Sequence, residues 1–418
     1  MSPPPPPPPA RRGPRPLLLH LMLARMRSSA SMPGWPAWNP ASPPWNALFA
    51  QAAAAPDPTA FLPPPPEPEA RLLRGIVAYR AHPSHRDLPE APVAWQDGNC
   101  RLLDYGGAGA PVLFVPSLIN RYYILDLAQD RSLLRHVAAA GWRTLVLDWG
   151  WPDPITRDFS LTDYVCGPLE RALIAIGQPV ALVGYCLGGL LALAAALRRP
   201  DLVRGLGLLA TPWQFRAPDP TQADRLAAAG LMLEPILAGS GTLPIDLLQA
   251  LFALLDPDQV AAKYRRFATL DPSSDAAALF VAIEDWANDC VPLAAPVARE
   301  CLIDWYGRNT PDAGAWRIAG QPILPENLRV PSFVALPGQD RIVPPESARP
   351  LAARLPGAEV REIAGGHVSL VIGKSGAATL WPALIAWLAT LTRPAQPPPP
   401  RRRAEASPES RQSPPKRR

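Results

Sequence analysis

The stretch GYCLGG, residues 184–189, lies between the apolar run PVALV and the small-residue run LLALAAAL. A short apolar run passing within one residue into a helix-forming run is a strand–turn–helix unit. Its Gly-x-nucleophile-x-Gly spacing is that of a nucleophile elbow, which normally carries serine. Such a turn strains the backbone at the reactive residue, so its neighbours must be small. Gly184, Gly188 and Gly189 supply that room, and the reactive position is Cys186. A helix starting directly after Cys186 aims unpaired N–H groups and its positive end at the sulfur, which favours a thiolate and a developing oxyanion.

The surrounding pattern repeats the unit. Apolar runs PVLFVPSL (111–118), RTLVLDW (143–149), PVALVGY (179–185) and VRGLGLLAT (203–211) alternate with amphipathic stretches. Runs without polar alternation, bounded by Gly or Pro and separated by helices, predict an α/β fold, with a mostly parallel, doubly wound sheet covered on both faces. The alternation pauses over 216–325, which reads as a helical lid insertion, and resumes with PSFVALPG (331–338) and AEVREIAG (358–365). The 58 prolines crowd toward the ends. The expected organisation is a Pro-rich, largely disordered arm over 1–70, a catalytic domain over 71–392, and a basic, Pro-rich disordered tail over 393–418.

Two later residues turn the elbow into a candidate site. Asp340 follows the strand PSFVALPG, and His367 follows the next strand. In a parallel sheet both fall at the C-terminal edge, where Cys186 also sits and where open α/β sheets place their sites. Singly, Asp340 reads as a turn or helix cap and His367 as a satisfied loop histidine. Together, in the chain order nucleophile, acid, histidine, they match the α/β-hydrolase fold. An oxyanion hole needs two N–H donors. The backbone of Leu187 supplies one, and the loop after PVLFVPSL the other, at Leu118 or its neighbour Ile119. His82, His85 and His136 read as packing or surface residues, and His20 falls in the arm.

Charge and cysteine usage narrow the partners. Residues 1–27 and 401–418 each carry +5, so removing both from the formal +5 leaves −5 for 28–400. The folded part shows no basic stripe for nucleic acid. Five widely spaced cysteines form neither a disulfide framework nor a zinc site, which suits a reducing cytoplasm. PLLLHLML (16–23) is too short and interrupted for a signal peptide, and no run long enough for a transmembrane segment occurs.

The same segments resemble the polyhydroxyalkanoate (poly-3-hydroxybutyrate) synthases, a branch of the α/β-hydrolase fold. The likeness rests on PSLINRYYILDL (116–127), LTDYVCGPLERAL (161–173), GYCLGGLLALAAALRRPDLV (184–203), LIDWYGRN (302–309) and the run from LPENLRVPSFVALPGQDRIVPPESA through GGHVSLVIG (324–373). It covers roughly residues 90 to 390 and is greatest toward the compact catalytic subunit of two-subunit synthases. Arg341 and Leu187 stand where family members often carry histidine and glutamine. The resemblance implies polymerisation of 3-hydroxyacyl-CoA with CoA release. Cys186 would carry the acyl chain, His367 act as base and Asp340 complete the triad. It implies no cofactor beyond the CoA thioester substrate, a homodimer or second synthase subunit as partner, and a place at the surface of polyester granules. Two other readings stay open: a cysteine-nucleophile esterase, thioesterase or polyester depolymerase, and a non-catalytic granule-associated binding protein.

Overall fold

A computed structural model describes residues 10–30, 67–217 and 219–392. Eight strands form one sheet: β1 (Val93–Asp97), β2 (Cys100–Asp104), β3 (Pro111–Val115), β4 (Arg143–Asp148), β5 (Val180–Tyr185), β6 (Val203–Leu209), β7 (Ser332–Pro337) and β8 (Glu359–Ile363). Their spatial order is β1-β2-β4-β3-β5-β6-β7-β8. β1 and β2 pair antiparallel, as do β2 and β4; every later pairing is parallel.

The strand pattern explains the burial. Every residue of β3, β5 and β7 is buried, because helices cover both faces. Leu113 and Val115 join Leu182 and the helices spanning 161–198 in one core, while Val112 and Phe114 join Val183 and the Lys374–Thr390 helix in the other. Successive side chains of a strand point to opposite faces. Tyr185, the last residue of β5, faces this second core.

The β1–β2 hairpin is an element absent from the sequence expectation. Asp97 pairs with Cys100 around Gly98, whose φ of +56° suits glycine. Between β6 and β7 the chain runs through helices Pro220–Met232, Glu234–Ser240, Ile245–Leu255, Gln259–Phe267 and Asp275–Asn288. Several of their side chains wall the cavity at the C-terminal strand ends.

The arm differs from expectation in part. Residues 17–30 form a helix, and Ala24 packs with Leu72 and Ile76 of the Glu67–Ala81 helix and with Tyr264 and Phe267. The physical reason is that Leu17, Leu21 and Ala24 share a helical spacing that buries them in this satellite core. The remaining arm, 1–9 and 31–66, and the basic tail, 393–418, lie outside the described residues. Among the described residues no helix is long and apolar enough to cross a membrane.

Candidate active site

Cys186 follows β5 directly and caps the Leu187–Arg198 helix, with φ 56° and ψ −130°. A non-glycine residue there is strained. Its N–H donates to the Leu209 carbonyl at 2.9 Å, holding the turn against β6. The glycines are required by crowding. A Cβ on Gly184 would lie 2.4 Å from the Gly189 Cα, one on Gly188 would lie 2.1 Å from the Val115 carbonyl oxygen, and one on Gly189 would lie 1.9 Å from Thr211 Oγ1. The elbow is tight on every side.

His367 and Asp340 are joined directly. Asp340 Oδ2 accepts from His367 Nδ1 at 2.7 Å, and Oδ1 accepts from the backbone N–H groups of Ile342 and Val343 at 2.8 and 2.9 Å. Both residues are buried. With Nδ1 committed to the carboxylate, Nε2 is left for the sulfur. Burial works against charge on the imidazole. The neighbouring Cys186 and Asp340 outweigh it, and a hydrogen bond to each adds to their effect, raising the His367 pKa to about 10.

Cys186, Asp340 and His367 line one cavity of about 500 Å³. Half-buried Cys186 also lines a second cavity of about 110 Å³, walled by Phe215, Phe252, Trp305 and Tyr306. The sulfur thus stands between a roomy chamber and a narrow aromatic one. Arg341 touches both and pairs with Asp256 at 2.6 Å.

The Leu187 backbone opens the helix after Cys186, and the close seat of Gly188 on the Val115 and Pro116 carbonyls brings the loop after β3 beside it. Leu118 is buried in that loop. The Ile119 N–H is already used by Ser117 Oγ at 3.2 Å, which leaves Leu118 as the donor to weigh with Leu187. Trp149 Nε1 donates to the Pro116 carbonyl at 3.0 Å and steadies the loop.

Of the remaining histidines, His82, His85 and His136 lie apart from the pair. His82 bonds the Pro272 carbonyl, His85 bonds the Pro83 carbonyl, and His136 packs on Trp381. His20 is buried and lines the larger cavity, which its sequence position in the arm did not suggest. Burial pushes the Cys100 and Cys290 thiols up to about 12, raises Cys301 well above the ordinary range, and raises Cys166. These four are held as thiols. Among the described residues no group of three or more His, Cys, Asp or Glu side chains could hold a metal ion.

Sequence reasoning passed over Tyr185. Its hydroxyl donates to the His367 carbonyl at 3.1 Å, and its ring lies 5.1 Å from the imidazole. Its place next to Cys186 was the available signal. It also passed over Ser369, whose Oγ accepts from the Gly366 N–H at 2.7 Å and braces the histidine loop.

Residues 110–374, more than half of the chain, match the family described as alpha/beta hydrolase fold. The chain belongs to the α/β-hydrolase fold family. Within it, the chain is similar to curated proteins named poly(3-hydroxyalkanoate) polymerase subunit PhaC. It is 29% identical to that of Haloferax mediterranei over 71% of this chain and 63% of the relative. It is 29% identical to that of Allochromatium vinosum over 66% of this chain and 80% of the relative, and to that of a Synechocystis strain over 66% and 77%. The chain therefore spans a little under two thirds of the Haloferax protein's length. The resemblance to polyhydroxyalkanoate synthases drawn from the sequence agrees with these relatives, as the expected fold agrees with the sheet and the family match.

Proposed function

We propose that this protein is an acyltransferase of the polyhydroxyalkanoate synthase type, polymerising 3-hydroxyacyl-CoA through an acyl-cysteine. The observation that carries this reading is a cysteine at the elbow sharing one cavity with a buried His367–Asp340 pair. The relatives' names support the substrate class.

His367 takes the proton of the Cys186 thiol, and the resulting thiolate attacks the thioester carbonyl. The oxyanion so formed is stabilised by the backbone N–H groups of Leu187 and Leu118. The intermediate collapses to an acyl-cysteine as the CoA sulfur leaves with the proton from His367. The hydroxyl of a second unit then attacks, giving its proton to His367. An oxygen ester forms, and the Cys186 sulfur departs and recovers the proton. Asp340 keeps Nδ1 occupied and favours the imidazolium through each transfer.

A thiol suits this sequence better than a hydroxyl. An acyl-cysteine is itself a thioester, close in free energy to the CoA thioester that loads it, so the loading step does not discard the potential that drives ester formation. The helices between β6 and β7 limit water at the sulfur, which transfer to an alcohol requires.

The deciding assay follows thiol release and insoluble polyester from 3-hydroxybutyryl-CoA, with and without a second synthase subunit. Release with polymer, lost in Cys186→Ala, is the expected result. Release yielding only free hydroxy acid makes the protein a hydrolase. No release across several acyl lengths leaves a binding protein, and undiminished release by Cys186→Ala means another nucleophile.

A further inference from the structure

Residues 10–30 do more than add a helix to the surface. Arg11 donates to Asp285 Oδ1 and Oδ2 at 2.6 and 2.8 Å and also bonds the His82 and Ser84 carbonyls. The Arg15 N–H donates to Asn288 Oδ1 at 3.2 Å, while its Nε donates to Asp246 Oδ1 at 2.9 Å. Asp285 and Asn288 belong to the Asp275–Asn288 helix and Asp246 to the Ile245–Leu255 helix. The segment thus crosses from one helix to the other. Those helices supply Gln249, Phe252, Glu284 and Ala287 to the wall of the Cys186 cavity.

The segment reaches the cavity itself. His20 bonds back to the Arg15 carbonyl at 3.0 Å, is 3% exposed, and stands in the same wall. A residue from the far N-terminal end of the described chain therefore helps wall the chamber that Cys186, Asp340 and His367 also line.

We propose that residues 10–30 form a strap that gates access to Cys186, opening when its arginine contacts release. This rests on Cys186 being the reactive group of the site. The contacts are unequal: the bidentate Arg11–Asp285 pair, with side chains 14% and 30% exposed, holds the strap shut, and the Arg15–Asp246 contact is the one that is cheap to break. The Arg15–Asp246 pair has side chains 32% and 58% exposed, and such pairs are worth about 0–1 kcal/mol each and weaken with salt. The strap has no strand pairing to the sheet and is seated only through its arginine contacts, His20 and the satellite core at Leu17, Leu21 and Ala24, so it opens at lower cost than the central core. The two helices it bridges hold other wall residues, so its release widens the chamber on that side.

The test uses the full chain and two thiol reagents, N-ethylmaleimide and a maleimide bearing a polyethylene glycol chain. Modification of Cys186 is followed by peptide mass spectrometry, with Cys186→Ala as blank. In the double variant Arg11→Gln/Arg15→Gln the bulky reagent should react about tenfold faster than with the natural chain, while N-ethylmaleimide changes less than about twofold. In the natural chain, added sodium chloride should raise the bulky reagent's rate, and in the double variant it should not. Equal bulky-reagent rates in both chains, or a salt-independent rate in the natural chain, overturn the strap. Should the double variant misfold, the salt series on the natural chain decides alone. Neither rate needs an acyl substrate, so failure of the synthase reading and failure of the strap are separately visible.

Discussion

The phenol of Tyr185, the residue before Cys186, donates to the main-chain carbonyl of His367 at 3.1 Å. One strand end thus holds both the sulfur and the loop that brings the imidazole to it. Tyr185→Phe keeps the ring and removes the donor. A buried hydrogen bond is worth about 1 kcal/mol, or roughly fivefold in rate. The expected result is a fall in kcat of that size with KM nearly unchanged, read from steady-state thiol release.

Asp340→Asn removes the carboxylate that His367 Nδ1 bonds at 2.7 Å. The expected fall in kcat is roughly 10³–10⁴. The variant also changes stability against pH. The folded His367 pKa, about 10 against 6.5 unperturbed, is raised. Its contribution is therefore full below 6.5 and is lost as pH climbs through about 10. Urea titrations should show that decline in the natural chain and a smaller one in Asp340→Asn.

Glu300 predicts a second, independent pH effect. Burial pushes its carboxyl up to about 7, against a Trp316 Nε1 donor at 2.8 Å. The neutral acid is favoured in the fold. Its contribution is present below 4.5 and is lost as pH rises through about 7. Glu300→Gln should flatten stability across that window, and an unchanged slope would show the carboxyl is not responsible.

Crowding at the elbow separates two glycines. Gly189→Ala collides with the Thr211 side chain, so it should destabilise by about 1–3 kcal/mol and be partly rescued by Thr211→Gly. Gly188→Ala meets the backbone oxygens of Val115 and Pro116, so no side-chain substitution should rescue it. Thermal unfolding of the single and double variants distinguishes the two cases.

The central sheet was legible because β3 and β5 are buried on both faces, so their apolar runs carry no competing periodicity. The placement of Asp340 and His367 after two strands was legible for the same reason. The β1–β2 hairpin was not. Of the two, β1 is exposed at three of its five positions, and its two-residue Gly98-Asn99 turn was the one strong signal. His20 was illegible in principle. A long-range contact between residue 20 and a cavity built near residues 250 and 284 leaves no local pattern, and a proline-rich neighbourhood argues for disorder. Tyr185 reads as one more apolar strand residue, since its hydroxyl partner lies 182 positions away.

Cys186 leaves β5 and His367 follows β8, three places along the sheet. At about 4.8 Å per place the two origins lie roughly 14 Å apart. Cys186, Asp340 and His367 therefore form an arch, its span fixed by backbone spacing, with Asp340 rising from β7 as the prop beneath the crossing. Side chains can be exchanged along that arch, but its footings cannot be moved without rebuilding the floor.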